Sequence, residues 1–204
     1  YYNNRYSNKC WYNGDIMSSL NVNTISEYTS ANGVTIDGVL IKDNTVDSVA
    51  EVDQYHLTAD RFNDNSVITA NISRFTTGIA AGNSGTGMTE SSGIFSFPST
   101  GIYSVRAMIT MQSHENDSQG VYIIGTDDNF SSETILSNIH VAHRATSTGA
   151  EIRNGYGEVV VDITDTSNRK IKFQVFGQND GDDALVGSSS RMVTGFTFQR
   201  LGKT

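Results

Sequence analysis

Four histidines, one serine set between small residues and a few glutamates are the side chains here that could carry chemistry. His140 and His143 stand three apart in a segment with strand character, so they point to opposite faces and do not chelate one ion together. His56 and His114 are isolated. A zinc site needs convergent ligands, and the histidines offer none. A nucleophile needs a positioned base beside it. Ser84, in Asn83-Ser84-Gly85, reads as a loop serine, and no G-x-S-x-G elbow occurs. Glu90, Glu133, Glu151 and Glu158 are of the right type for a glycosidase, which requires two facing carboxylates at a set separation; spacing alone does not bring any two together. The densest group of hard oxygen ligands is Asn179-Asp180-Gly181-Asp182-Asp183. Calcium favours carboxylate and carbonyl oxygens on flexible loops, so Asp180, Asp182 and Asp183 are candidate calcium ligands near a trimer end. The same loop reads as a solvated acidic turn, since it lacks the EF-hand ligand pattern and flanking helices. Asp127-Asp128-Asn129 is a shorter version. No other cofactor is expected. Cys10 is the only cysteine. It excludes an intrachain disulfide and leaves a free or partly buried thiol, or a link between subunits.

The elements that position such residues are strands. Hydrophobic residues make up 37% of the 204-residue chain and charged residues 18%, too apolar for a disordered polymer. Thr, Ser, Ile, Val, Tyr and Phe outweigh the strong helix formers, and β-branched and aromatic side chains suit a pleated surface. Nineteen glycines against one proline indicate many tight turns. The net charge of −8 and the absence of a Lys/Arg cluster argue against nucleic acid. No apolar run approaches the roughly 20 residues of a spanning helix, so no membrane insertion is expected. The chain starts Tyr1-Tyr2-Asn3-Asn4 without a leader, and is expected to be a piece of a longer or processed polypeptide.

Three segments follow from the patterning. Residues 1–20 are aperiodic and rich in Tyr and Asn, with Trp11; their exposed aromatics suit a partner surface and an attachment role. Residues 21–53 carry apolar pieces of three to five residues between Asn32-Gly33 and Asp37-Gly38, the strongest hairpin turn signals. Such short pieces must pack on something else, either the main domain or equivalent pieces of neighbouring chains in a β-rich trimeric stalk; the stalk is preferred. Residues 54–204 hold eight candidate strands: Val67–Phe75, Gly93–Phe97, Gly101–Gln112, Gly120–Gly125, Glu133–His143, Gly157–Ile163, Lys170–Gly177 and Arg191–Leu201. Their two-residue alternation gives each one buried and one wet face. Eight antiparallel strands in two sheets make a jelly roll. Phe95, Phe97, Gly101, Tyr103, Phe173, Gly195, Phe196 and Phe198 are expected in its fold and trimer core. Asn71-Ile72-Ser73, Asn116-Asp117-Ser118 and Asn129-Phe130-Ser131 match the glycosylation pattern; sugar on them would favour a secreted origin, and in a protein assembled in bacterial cytoplasm they are chance matches.

The stretch Gly93-Ile94-Phe95-Ser96-Phe97-Pro98-Ser99-Thr100-Gly101-Ile102-Tyr103-Ser104-Val105 resembles the F-x-x-P-x-x-G-x-Y segment of the tumour necrosis factor and complement-q globular-head superfamily. Met192-Val193-Thr194-Gly195-Phe196-Thr197-Phe198 is similar to that family's closing strand, with Val193 where an aromatic is usual. The resemblance covers about residues 54–203 and implies a jelly roll that trimerises. Thr24 to Asp43, with Gly87 to Phe95 and Phe196 to Gly202, resembles segments of virion proteins of marine tailed phages and other aquatic viruses. That resemblance implies a non-enzymatic fibre, spike or capsid-decoration protein. On that reading the chain is a homotrimer in the virion, attached to other virion proteins through its N-terminal segment and meeting a host-surface glycan or protein. The alternatives are a secreted recognition module of the complement-q or tumour necrosis factor kind, and a fibre-borne glycan hydrolase.

Overall fold

The computed structural model describes strand residues 34–36, 39–42 and 45–46, and residues 51–204 except 77, 78, 80, 116 and 145–148. The chain divides into two units, Tyr1–Asp47 and Ser48–Thr204. In the first, β1 (Val34–Ile36), β2 (Val39–Lys42) and β3 (Thr45–Val46) form an antiparallel three-stranded sheet. Ile36 lies opposite Val39 in the antiparallel β1–β2 pair. Asn32, Gly33, Asp37, Gly38 and Cys10 lie outside the described residues.

The second unit is a two-sheet sandwich of antiparallel strands. Its strands are β4 (Val52–Leu57), β5 (Arg61–Phe62), β6 (Ile72–Arg74), β7 (Thr89–Ser91), β8 (Ile94–Ser96), β9 (Gly101–Ser113), β10 (Ser118–Thr126), β11 (Thr134–Ala142), β12 (Glu151–Ile163), β13 (Lys170–Phe176), β14 (Ala184–Leu185) and β15 (Gly195–Gly202). One sheet has the order β11-β10-β13-β8-β7. The other runs β5-β14-β9-β15-β4-β6, with β12 along the free side of β9. Inward side chains of both sheets meet in an aromatic core. Phe95 packs edge-on to Tyr55 at 5.0 Å and lies 4.9 Å from Phe198, while Phe173 stacks on Phe196 at 4.0 Å. Edge-on and offset ring pairs satisfy the aromatic quadrupole and add to area burial.

Strand limits depart from the sequence expectations for local reasons. The strand expected at Val67–Phe75 reduces to a bridge at Val67 and β6, because Asn71 adopts a left-handed φ of 58°. β12 starts at Glu151 instead of Gly157, since it pairs with β9 along its whole length. The closing strand starts at Gly195 instead of Arg191; upstream, the Thr194 carbonyl takes the Leu57 amide and its hydroxyl takes the Thr110 amide. β4, β5, β7 and β14 have no counterpart among the expected strands, and β4 runs across the expected segment boundary at 53/54. The β7–β8 hairpin turns on Ser92 (φ 52°) and Gly93 (φ 82°). A Cβ on Gly93 would collide with the Ile68 carbonyl, so only glycine fits there.

A polar network fastens β4 to β6 and to the 84–89 loop. Arg74 forks onto Asp53, Nε to Oδ1 at 2.7 Å and Nη2 to Oδ2 at 2.6 Å. Nη2 also donates to the Tyr55 hydroxyl at 2.6 Å and the Met88 carbonyl at 2.5 Å. Asp53 accepts the Met88 amide at 2.6 Å, and Glu51 accepts the amides of Thr86 and Gly87. Burial, then the Asp53 charge, pushes the Tyr55 phenol up to about 12, so it stays a neutral donor to Met88.

Candidate functional site

β12 borders the larger sheet. Its inner edge pairs with β9 from Glu151 opposite Ser113 to Ile163 opposite Gly101; its outer edge has no strand partner among the described residues. Alternation sends Val159, Val161 and Ile163 inward. Ile152, Tyr156 and Val160 point outward and are 60, 62 and 58% exposed. Register sets Tyr156 beside Met108 of β9, also exposed, and Met108 beside Gly195 of β15. An apolar stripe therefore follows β12 and crosses onto β9. A bare strand edge with apolar side chains is a template for another chain unless something covers it.

A polar knot interrupts the stripe. Glu158 Oε1 accepts the Ser104 hydroxyl at 2.5 Å and Arg106 Nε at 3.1 Å, and Oε2 accepts the Tyr156 hydroxyl at 3.0 Å. Arg106 Nη2 donates to Gln199 at 3.1 Å. The Ser104 bond, then Arg106 and Tyr156, holds Glu158 below the usual carboxylate range; burial and Glu158 push the Tyr156 phenol up. The knot fixes side-chain directions on the face, and the Ser104 hydroxyl within it is buried. Beside it, Gly155 lets β11 approach β12, since a Cβ there would lie 2.8 Å from Ile139 and 2.9 Å from Val141. Near the ends of the same two strands lies a cleft of about 400 Å³, lined by Leu136, Val160, Ile163, Ile171, Arg169 and Lys170 among others.

The expected site residues fall into three groups. Phe95, Phe97, Gly101, Tyr103, Phe173, Gly195, Phe196 and Phe198 are all buried between the sheets of one copy, so they build the fold and leave no surface for a neighbour. Asp180, Asp182 and Asp183 do not converge. The Asp180 side chain accepts the Asp182 amide, Asp183 turns inward under its own loop, and Asp182 points out toward His114 at 4.0 Å. Among the described residues no three His, Cys, Asp or Glu side chains are grouped to hold a metal ion. The glutamates are tied to separate neighbours: Glu90 to the Gly93 amide, Glu133 to Lys172, Glu151 to Arg153 and the Arg144 amide. His140 faces out against Phe176, which stacks on Tyr122 at 4.2 Å, while His143 faces in. The outward stripe escaped the sequence reading. Its signal was a second alternation, Ile152, Tyr156 and Val160, out of phase with Val159, Val161 and Ile163.

No protein-family model matches the sequence, and no curated protein matches it. Solved structures match the fold. Eiger TNF from S. frugiperda superposes with a TM-score of 0.56 at 10% identity, covering 75% of this chain and 93% of that one. Murine APRIL gives 0.53 at 13% identity, covering 74% and 98%. The all-β jelly roll implied by the Phe95–Tyr103 and closing-strand segments is the fold observed, and its likeness is to the TNF type.

Proposed function

We propose that this chain is a non-enzymatic recognition head that works as a homotrimer, its copies packed through the outer face of β12 and β9. The observation that carries the reading is the Ile152-Tyr156-Val160 stripe on a strand whose outer edge has no strand partner among the described residues. Contiguous apolar surface with a polar knot inside it suits a protein–protein interface, and the TNF-type fold supports the same assembly. Three copies present each loop three times, so weak contacts to a surface protein or glycan sum to firm attachment. The test is the double substitution Tyr156→Asp, Val160→Asp, with mass read by multi-angle light scattering. The parent is expected at three times the chain mass, and the variant at one, with an unchanged β-type circular dichroism spectrum. A monomeric parent, or a variant that keeps the trimer mass, overturns the reading.

A narrower reading places the head on a virion, as a fibre, spike or capsid-decoration protein held through residues 1–20. It is supported by the resemblance of Thr24 to Asp43 to virion proteins and by the three short strands in that part of the chain. Antibodies to the head, imaged on intact particles, test it: labelling at repeated lattice positions supports it, and a head found only as secreted protein removes it in favour of a secreted module.

A further inference from the structure

Three segments match the N-x-S pattern, and the fold treats them differently. Asn71 immediately precedes β6, which borders the larger sheet on the side opposite β12. It takes a left-handed φ of 58°, a conformation asparagine tolerates where most side chains do not. Its carbonyl accepts the Thr58 amide at 2.7 Å and the Thr58 hydroxyl at 3.1 Å. The backbone is therefore held, while the side chain is exposed and its amide makes no hydrogen bond among the described residues. Ser73, two residues on, is exposed as well, and its hydroxyl turns to the Arg74 carbonyl at 3.3 Å.

The other two matches are placed less freely. Asn129 is also exposed and left-handed, with φ 56°, but its Oδ1 accepts the Lys170 ammonium. Phe130, the middle residue of that match, lies under the Lys172 ammonium at 4.5 Å. The loop that carries them borders the cleft walled by Val160, at one end of the apolar stripe. Asn116 lies outside the described residues, and Asp117 after it is tied to Asn179. A sugar chain is bulky and solvated. The fold that carries one must give it a side chain directed at solvent, with no packing or hydrogen bond to surrender, away from the assembly face. Asn71 meets all three conditions.

We propose that Asn71 is an N-glycosylation site of the head. The inference rests on the reading of the chain as a secreted module, and it holds whether or not the head trimerises. In the transfer, Asn71 Nδ2 attacks the anomeric carbon of a lipid-diphosphate-linked oligosaccharide. A C–N bond forms and the C–O bond to the diphosphate breaks. The lipid diphosphate leaves with that electron pair, and the amide gives one proton to a base of the transferring enzyme. The hydroxyl that the pattern requires two residues on is that of Ser73. Placed there, the sugar crowds the border of β6, which has no second strand partner among the described residues, and leaves β12 bare for another chain.

The test expresses the full chain behind a cleavable secretion signal in cultured eukaryotic cells. Peptide mass spectrometry is expected to find sugar at Asn71. Peptide-N-glycosidase should release it from the folded protein without denaturant, because the side chain is exposed. Asn71→Asp, which tolerates the same φ, and Ser73→Ala, which leaves Asn71 in place, should each remove the sugar; Asn129→Gln should leave it. A secreted, folded chain with Asn71 bare overturns the site, as does sugar at Asn71 that the enzyme reaches only after unfolding. Light scattering on the same samples reads the assembly separately. The protein mass is expected to be the same with and without sugar, and a change of assembly on its removal overturns the placement of Asn71 away from the interface. A single-chain mass in both states overturns the trimer alone.

Discussion

Two polar clusters border the same apolar core, one complete and one incomplete. In the cluster of Glu51, Asp53, Arg74 and Tyr55, the Asp53 carboxylate faces a guanidinium fork and a backbone amide, and no atom of these four residues is left buried without a partner. In the cluster of Asp117, Gln119, His143 and Asp183, the two carboxyls lie close together and five side-chain atoms lack hydrogen-bond partners. The first accounts for itself as a clasp holding the 84–89 loop on β4. The second ties Asp117 and Asp183 to the same residue, Asn179, and leaves polar atoms over. Completeness of hydrogen bonding, more than charge or burial, therefore separates the two clusters.

The sharpest way to break the comparison is to remove one member from each side. Arg74→Met strands a fully buried Asp53 carboxylate. Because Arg74 itself is partly exposed, the loss is expected at the lower end of the range for a broken buried pair, about 3 kcal/mol, read from urea unfolding. A loss under about 1 kcal/mol would show the clasp to be ornamental. The next effect is smaller and of opposite sense. Asp117→Asn removes one of two close carboxyls and keeps an oxygen for the Ser118 amide, so it is expected within about 0.5 kcal/mol of the parent or more stable. If it unfolds the chain as Arg74→Met does, the two clusters are alike and the contrast between them is void.

The same contrast explains what could be read in the sequence. Phe97, Phe173, Phe196 and Phe198 announced themselves because each is a large inward aromatic whose neighbours are not large and apolar, and Phe95 and Tyr103 through the two-residue alternation they share with Phe97 and Val105. β4 did not, because Asp53 occupies an inward position in it, and the Arg74 that makes this tolerable lies 21 residues away in the chain. β12 was half legible: Gly155 and Gly157 blank its inner face where β11 closes in, while its outer face carries the apolar residues of an interface. β5 and β14 are two residues each, too short to show any period. Asp183 stood out by composition, but Asp117 was visible only inside a glycosylation pattern and Gln119 not at all. Asp117 and Asp183 meet through Asn179, which bonds both, and local spacing carries no trace of it.

The smallest expected effect concerns His56, which shares the unpartnered ring nitrogens of His143 but sits in different company. It is buried and stacks on Phe75 at 3.9 Å. Burial lowers its pKa from the ordinary 6.5, the Ser73 backbone opposes this weakly, and no charged group contributes. A histidine whose folded pKa is depressed binds its proton more readily in the unfolded chain. Its contribution is therefore fully present above about pH 6.5 and is lost as the pH falls below that value toward the folded pKa. Urea midpoints measured at pH 8 and pH 5 should fall further for the parent than for His56→Gln, by an amount well below the Arg74 loss. Equal falls in the two proteins would mean that the His56 ring is solvated or charged in the folded head. An unpaired buried nitrogen would then lose its value as a mark of incompleteness at His143 as well.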